Sequence, residues 1–148
     1  MTRTPAQIGA ANRRRGKDTE QKVAAYLASH GIGTGRRNLA GYARDHGDYG
    51  PIVDHHGDRW AIEIKGPGEQ PSPGQVEAWA DEAAREAVHA GALLWVLIVR
   101  RPGCTDVGRW WVHLPIWMLW GDAPRTDAWG TLARIDLAAW LALIGGTP

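Results

Sequence analysis

The stretch DRWAIEIKGPG, Asp58 to Gly68, decides how this chain is read. Trp60, Ala61, Ile62 and Ile64 have the composition of a buried strand, yet Glu63 and Lys65 stand among them. Side chains alternate across a pleated strand, so Glu63 and Lys65 leave one face about 7 Å apart while Ile62 and Ile64 leave the other. An isolated Glu-x-Lys is ordinarily a weak ion pair on the wet side of an edge strand. Its surroundings must therefore decide what it means.

Upstream, GDYGPIVDHHGD reads as a first strand opened by Asp48, with Ile52 and Val53 as its body and DHHGD as the turn into Trp60 to Lys65. Downstream, GPGEQ is loop, and SPGQ at Ser72 to Gln75 is a capping box with Pro73 at the first helical position. The helix that follows has Val76, Trp79, Ala80, Ala83, Ala87 and Val88 as its apolar stripe, Asp81, Glu82, Arg85 and Glu86 on its outer side, and Gly91 as its stop. ALLWVLIV, Ala92 to Val99, is a continuous apolar run of strand length, as expected for a central strand covered on both faces.

The flanks complete the order. TPAQ at Thr4 to Gln7 is a further capping box, and a stronger helix runs from about Lys17 to His30, with Glu20, Val23, Ala24 and Leu27 along one side. A glycine-rich region follows, with one short strand expected near Thr34 to Asn38. After Val99 come a turn, the strand RWWVHL and a last helix over roughly 136–144. The order α, β, β, β, α, β with an extra strand and helix predicts an α/β chain of the α+β kind, a mixed sheet flanked by helices.

Length suits one domain, 1–148, divided into a basic N-terminal arm or short helix over 1–15, a core over 16–114 and a tryptophan-rich extension over 115–148. The single cysteine, Cys104, excludes an internal disulfide and any Cys-cluster zinc site. The greasiest run, Trp110 to Trp120, is broken by His113 and Pro115 and is too short to span a membrane. With no apolar signal core in MTRTPAQIGA, the expectation is a soluble cytoplasmic protein of a bacterial or phage-infected cell, an origin suggested by the arginine, alanine and glycine bias.

A net charge of +1 conceals an asymmetry. Residues 1–44 hold nine basic against two acidic side chains, and the remainder eight against fourteen, so the halves carry +7 and −6. A basic segment of this kind suits a polyanion such as nucleic acid. Only Lys17, Lys22 and Lys65 among the seventeen basic residues are lysine. On the charged strand, then, a compact ammonium with a tunable pKa is called for where arginine would not serve.

If the hairpin strands pair side by side, the carboxylates of Asp48 and Glu63 converge with Lys65, and a first helix packed across the sheet carries Glu20 toward the same corner. So much like charge is unfavourable without a cation, which predicts an oxygen-liganded divalent metal, Mg²⁺ foremost, with Mn²⁺ as its substitute. Asp54 is a rival for the second carboxylate. Asp48 is preferred because DHHGD has turn composition.

RRRGKDTE, then GD, then AIEIK, resembles the PD-(D/E)XK nuclease superfamily, and within it the archaeal and phage Holliday junction resolvases. The likeness covers roughly 12–100 in motif and element order, and rests on the whole set of sites. It implies a restriction-endonuclease-like αβββαβ core. It further implies that Asp48, Glu63, the Ile64 backbone carbonyl and Glu20 hold the metal, and that Lys65 activates the water. Asp48 follows Gly47 where the family has proline, a departure from the pattern. The implied activity is Mg²⁺-dependent hydrolysis of phosphodiesters in four-way DNA, leaving 5′-phosphate and 3′-hydroxyl ends. Paired symmetric nicks require a homodimer. Arg13, Arg14, Arg15, Lys17, Arg36, Arg37 and Arg44 would then hold phosphates. A nuclease of this fold acting on linear or nicked duplex, and a non-catalytic DNA-binding or assembly protein, are the alternatives.

Gln75 and Trp79 resemble the Gln-x-x-x-Tyr of RecB-type nucleases, but the capping box already accounts for Gln75, which makes it a secondary candidate. His55 and His56 are read as turn residues. The tryptophans of WWVHLPIWMLW are read as core or subunit packing rather than base-stacking platforms.

Overall fold

The computed structural model describes residues 4–32, 49–119 and 131–145. The helix opened by Thr4 is one continuous rod, α1 (Pro5–Ser29), so the expected arm and the helix after it are a single element. Its capping box is formed at both ends, Thr4 Oγ1 accepting from the Gln7 N–H and Gln7 Oε1 from the Thr4 N–H. Nothing between Asn12 and Lys17 breaks it, since arginine and lysine are good helix formers and Gly16 costs only about 1 kcal/mol. The strand expected near 34–38 lies outside the described residues.

β1 (Tyr49–Val53) and β2 (Arg59–Lys65) form the expected antiparallel hairpin, with Val53 opposite Arg59 and Tyr49 opposite Ile62. The register slips between Tyr49 and Ile52, where Pro51 has no N–H for the ladder. Asp54 builds the turn. Its Oδ1 accepts from the His56 and Asp58 N–H groups at 2.9 Å each, and its Oδ2 from Trp60 Nε1 at 2.8 Å.

From β2 the chain crosses through α2 (Pro73–His89) to β3 (Leu94–Val99), which lies parallel to β2 with Lys65 opposite Val99. β4 (Trp111–Pro115) and β5 (Leu132–Asp136) extend the sheet antiparallel, giving the order β1-β2-β3-β4-β5. β5 is an addition to the sequence reading, which assigns no element to residues 132–135 and begins the last helix at about 136. That helix, α3, is Leu137–Leu143, with Asp136 as its N-cap. The described fold is thus a five-stranded mixed sheet with three α-helices, of the α+β class.

Alternation divides the core between two faces. Ile62, Ile64, Val96, Ile98, Val112 and Leu114 pack with Val23 and Leu27 of α1 and with Leu137, Trp140 and Leu141 of α3. On the opposite face Ala61, Trp95, Leu97 and Val99 pack beneath Ala80, Ala83 and Ala87 of α2. Small residues on that helix face let its backbone lie close to the sheet. Val88, expected in the stripe, is 76% exposed, so the buried side of α2 is rotated away from it. Of the tryptophans in WWVHLPIWMLW, Trp110 is buried in the first core, Trp117 is largely buried and Trp111 partly so, while Trp120 lies outside the described residues; Trp60 and Trp140 are buried in the first core as well. No helix among the described residues is long and apolar enough to cross a membrane.

Candidate active site under the second helix

β2 delivers Glu63 and Lys65 to the α2 face of the sheet, two residues apart at the strand's C-terminal end. Lys65 Nζ lies 2.7 Å from Glu63 Oε1 and 2.8 Å from Glu82 Oε2. Glu82 and Glu86, one helical turn apart on α2, belong to its outer side by sequence pattern. In the structure they flank Ala83 and Ala87 and turn toward β2, both partly buried. Carboxylate oxygens of Glu63, Glu82 and Glu86 lie within 4.8 Å of one another.

Glu63 is only 3% exposed, and its Oε2 has no hydrogen-bond partner; neither has the buried Oε2 of Glu86. Burial pushes the Glu63 carboxyl up to about 7, and a hydrogen bond shared with the adjacent Glu86 carboxyl adds to this by favouring the protonated form, with a smaller contribution from like charge, while Lys65 pulls the other way. Burial alone would depress the Lys65 ammonium, but its hydrogen bonds to Glu63 and Glu82 hold it above the usual lysine range. An ammonium has three donors, so two are engaged here. The result is a fixed positive charge in a pocket where acid outnumbers base by three groups to one.

The remaining expected site residues fall in different places. Glu20 is partly buried on α1, which packs on the Ile62/Ile64 face, so it does not join the Glu63 group. Asp48 lies outside the described residues, as do Arg36, Arg37 and Arg44. Asp54, the rival to Asp48, stands at the other end of β2 with both oxygens committed to the turn. Those hydrogen bonds hold its carboxyl below the usual range against the opposing effect of burial. Gln75 closes the α2 capping box, its Oε1 accepting from the Ser72 N–H at 3.1 Å while Ser72 Oγ accepts from the Gln75 N–H at 3.2 Å.

The basic segment adjoins the loop that follows Lys65. Arg13, Arg14 and Lys17 are exposed, whereas Arg15 is half-buried across Gly68, where an added Cβ would stand 2.6 Å from a guanidinium nitrogen. Thr19 closes on Gly66 in the same way, so α1 is seated directly on the GPG turn. Between them runs a cleft of about 520 Å³ lined by Arg15, Gly66, Gly68, Gln75 and Trp79 among others. It opens at the carboxyl end of the parallel β2–β3 pair, where open sheets commonly bind ligands.

A buried carboxylate with an orphan oxygen, beside two further carboxylates and no soft ligand, is a donor set suited to a hard divalent cation. The same arrangement can instead hold one shared proton. Glu82 and Glu86 could have been found from sequence by their spacing, since each immediately precedes an alanine of the buried stripe. Comparison with protein-family models, curated proteins and solved structures finds no match for this chain.

Proposed function

We propose that this protein is a metal-dependent endonuclease of the PD-(D/E)XK kind whose substrate is branched, four-way DNA. The observation that carries the reading is the Glu63–Lys65 pair. Two charged residues share one strand face at the end of β2, in contact at 2.7 Å, with the glutamate buried and one of its oxygens unpaired. A surface ion pair has no reason to be buried, because desolvation costs more than such a pair returns.

Several features support the wider assignment. The described order α1-β1-β2-α2-β3 agrees with the expected core over the elements it includes. Tyr49, the chain neighbour of Asp48, pairs with Ile62, the chain neighbour of Glu63. On α1, Asp18 faces Arg100 at the end of β3 with a 2.9 Å ion pair. At 100° per residue, Glu20 lies on the other flank, the β1 side. Arg15 lines the cleft, and Arg13, Arg14 and Lys17 are exposed on the same stretch of α1, which suits a phosphate backbone.

Mg²⁺, when bound, would supply charge neutralisation at the phosphate and acidify the attacking water. Glu63 would hold it, with Asp48 and the Ile64 carbonyl as the resemblance implies. Lys65, fixed by Glu63 and Glu82, keeps a donor for the water or a phosphate oxygen as charge develops. Water adds to phosphorus, the P–O3′ bond breaks, and the proton released ends on the 3′-oxygen. Two such sites in a homodimer would give paired nicks, in the cytoplasm of the host cell.

The test incubates the protein with a four-way junction, linear duplex and single strand, in Mg²⁺ or EDTA, beside Glu63→Gln and Lys65→Ala. The expected result is paired symmetric nicks on the junction alone, abolished by EDTA and by either substitution. Equal cutting of linear duplex would move the assignment to a duplex nuclease. Binding without any cutting would replace the enzyme with a DNA-binding protein.

A further inference from the structure

Resting on the reading above, we propose that the second helix supplies cation ligands: Glu86 and Glu82 of α2, with Glu63 of β2, form a binding site for one divalent metal ion with oxygen ligands. None of Glu20, Asp48, Glu63 and Lys65 lies on α2, and the secondary candidate there, Gln75, is engaged in the capping box. The site is inferred from where three carboxylates meet.

Two independent observations carry it. The carboxylate oxygens of Glu63, Glu82 and Glu86 lie within 4.8 Å of one another, which is the span of an ion about 2.3–2.5 Å from each, the range of Ca²⁺ and readily contracted for Mn²⁺ or Mg²⁺. Separately, Glu63 is 97% buried, being 3% exposed, yet its Oε2 has no donor, and Glu86 Oε2 is buried with none either. Buried acceptors are ordinarily satisfied, so these two oxygens, on neighbouring carboxylates with no donor from any other group, are held either by one proton shared between them or by a cation, and the experiment below separates the two.

Lys65 does not fill that role. Its ammonium is bound to Glu63 Oε1 and Glu82 Oε2, leaving the Oε2 atoms of Glu63 and Glu86 untouched. Glu63 can therefore serve two cations at once, an ammonium on one oxygen and a metal ion on the other. The alanines at 80, 83 and 87 make this possible by seating α2 close to the sheet. Glu82, shared between the two cations, ties the position of the lysine to occupancy of the site.

The experiment measures Mn²⁺ binding to the whole chain at about pH 8 by calorimetry and by the spin-resonance signal of free Mn²⁺, with no DNA present. The variants are Glu86→Gln, Glu82→Gln and Asp81→Asn, the last removing an exposed carboxylate from the same helix; folding of each is checked by urea titration. We expect Glu86→Gln and Glu82→Gln to weaken Mn²⁺ by about tenfold or more, with Asp81→Asn matching the parent. Parental affinity in Glu86→Gln, or absence of binding by the parent, overturns the proposal. If Glu86→Gln keeps parental affinity and still nicks junctions, this site falls and the nuclease stands. If the parent binds Mn²⁺ through Glu86 but cuts no DNA, the site stands and the nuclease falls.

Discussion

Replacing Glu63 with glutamine should stabilise the metal-free protein, by an amount that depends on pH in a defined way. The native Glu63 carboxyl is raised from 4.5 to about 7. A tenfold change in proton affinity is about 1.4 kcal/mol, so keeping this group ionised in the folded state above that pH costs about 3 kcal/mol as an upper bound. Between pH 4.5 and 7 the folded chain retains a proton that the unfolded chain has released, and stability falls as pH rises. Glutamine has nearly the same volume and no proton to lose. The difference between Glu63→Gln and the parent should therefore be near zero at the acid end and approach about 3 kcal/mol in favour of the variant at about pH 8.

In the parent this loss is hidden. Burial, helped by Arg134, lowers His113 from 6.5 to about 4, so the unfolded chain binds a proton there that the folded chain refuses. That contribution makes stability rise with pH over nearly the same window, by about 3 kcal/mol. The lowered Asp18 and Asp54 act below the ordinary carboxylate value of 3.8, outside the window. The parent should be almost level from about pH 4.5 to 6.5, and Glu63→Gln should climb. Urea unfolding followed by tryptophan fluorescence in EDTA reads both curves. A variant less stable than the parent at about pH 8, or a difference that does not change with pH, would refute the reasoning.

Three further outcomes are expected. Gly66→Ala should cost about 1–3 kcal/mol in urea unfolding, because its new methyl meets Thr19 and stands 3.3 Å from the Arg15 carbonyl oxygen; adding Thr19→Ala should return part of the loss. Asp54→Ala should cost about 2–4 kcal/mol by stranding the buried Trp60 indole N–H and two turn amides, yet leave Mn²⁺ affinity in calorimetry unaltered. Neutralising Arg13, Arg14 and Lys17 together should reduce the slope of log DNA affinity against log salt by about 2–3 in fluorescence anisotropy, and an unchanged slope would show that these residues do not touch phosphate.

What could be read from the sequence was whatever depends on local periodicity and capping. TPAQ and SPGQ each close a capping box, the Glu-x-Lys strand alternates as drawn, and Ala92 to Val99 contains a strand buried on both faces. Rotation of α2 was harder. Of its expected stripe, Ala80, Ala83 and Ala87 are buried and Val76 and Trp79 pack against them, while Val88 is exposed, because close packing on the sheet selects the small side of the helix. That choice turned Glu82 and Glu86 inward. β5 was missed because Leu132–Asp136 runs straight into the α3 sequence, and only pairing with β4 distinguishes strand from helix there. Spacing beside Ala83 and Ala87 is enough to bring Glu82 and Glu86 near the sheet, whereas their meeting with Glu63 is a tertiary event set by the crossover.

The continuity of α1 bears on how the molecule would meet a polyanion. Twenty-five residues make a rod of about 37 Å, while the seven residues of β2 span about 23 Å. Its buried residues, Thr19, Val23 and Leu27, all belong to the C-terminal half. The other half is mostly exposed, resting on the GPG turn through Arg15 and running on beyond it as a rigid rod that carries Arg13, Arg14 and Lys17 at fixed separations. A tail that had to freeze on contact would lose conformational entropy with every engaged side chain and would adapt to any curvature. A stiff rod would be spared the backbone part of that loss and would favour polyanions whose charges already match its spacing, so that under the proposed function shape discrimination would begin before any bond is broken.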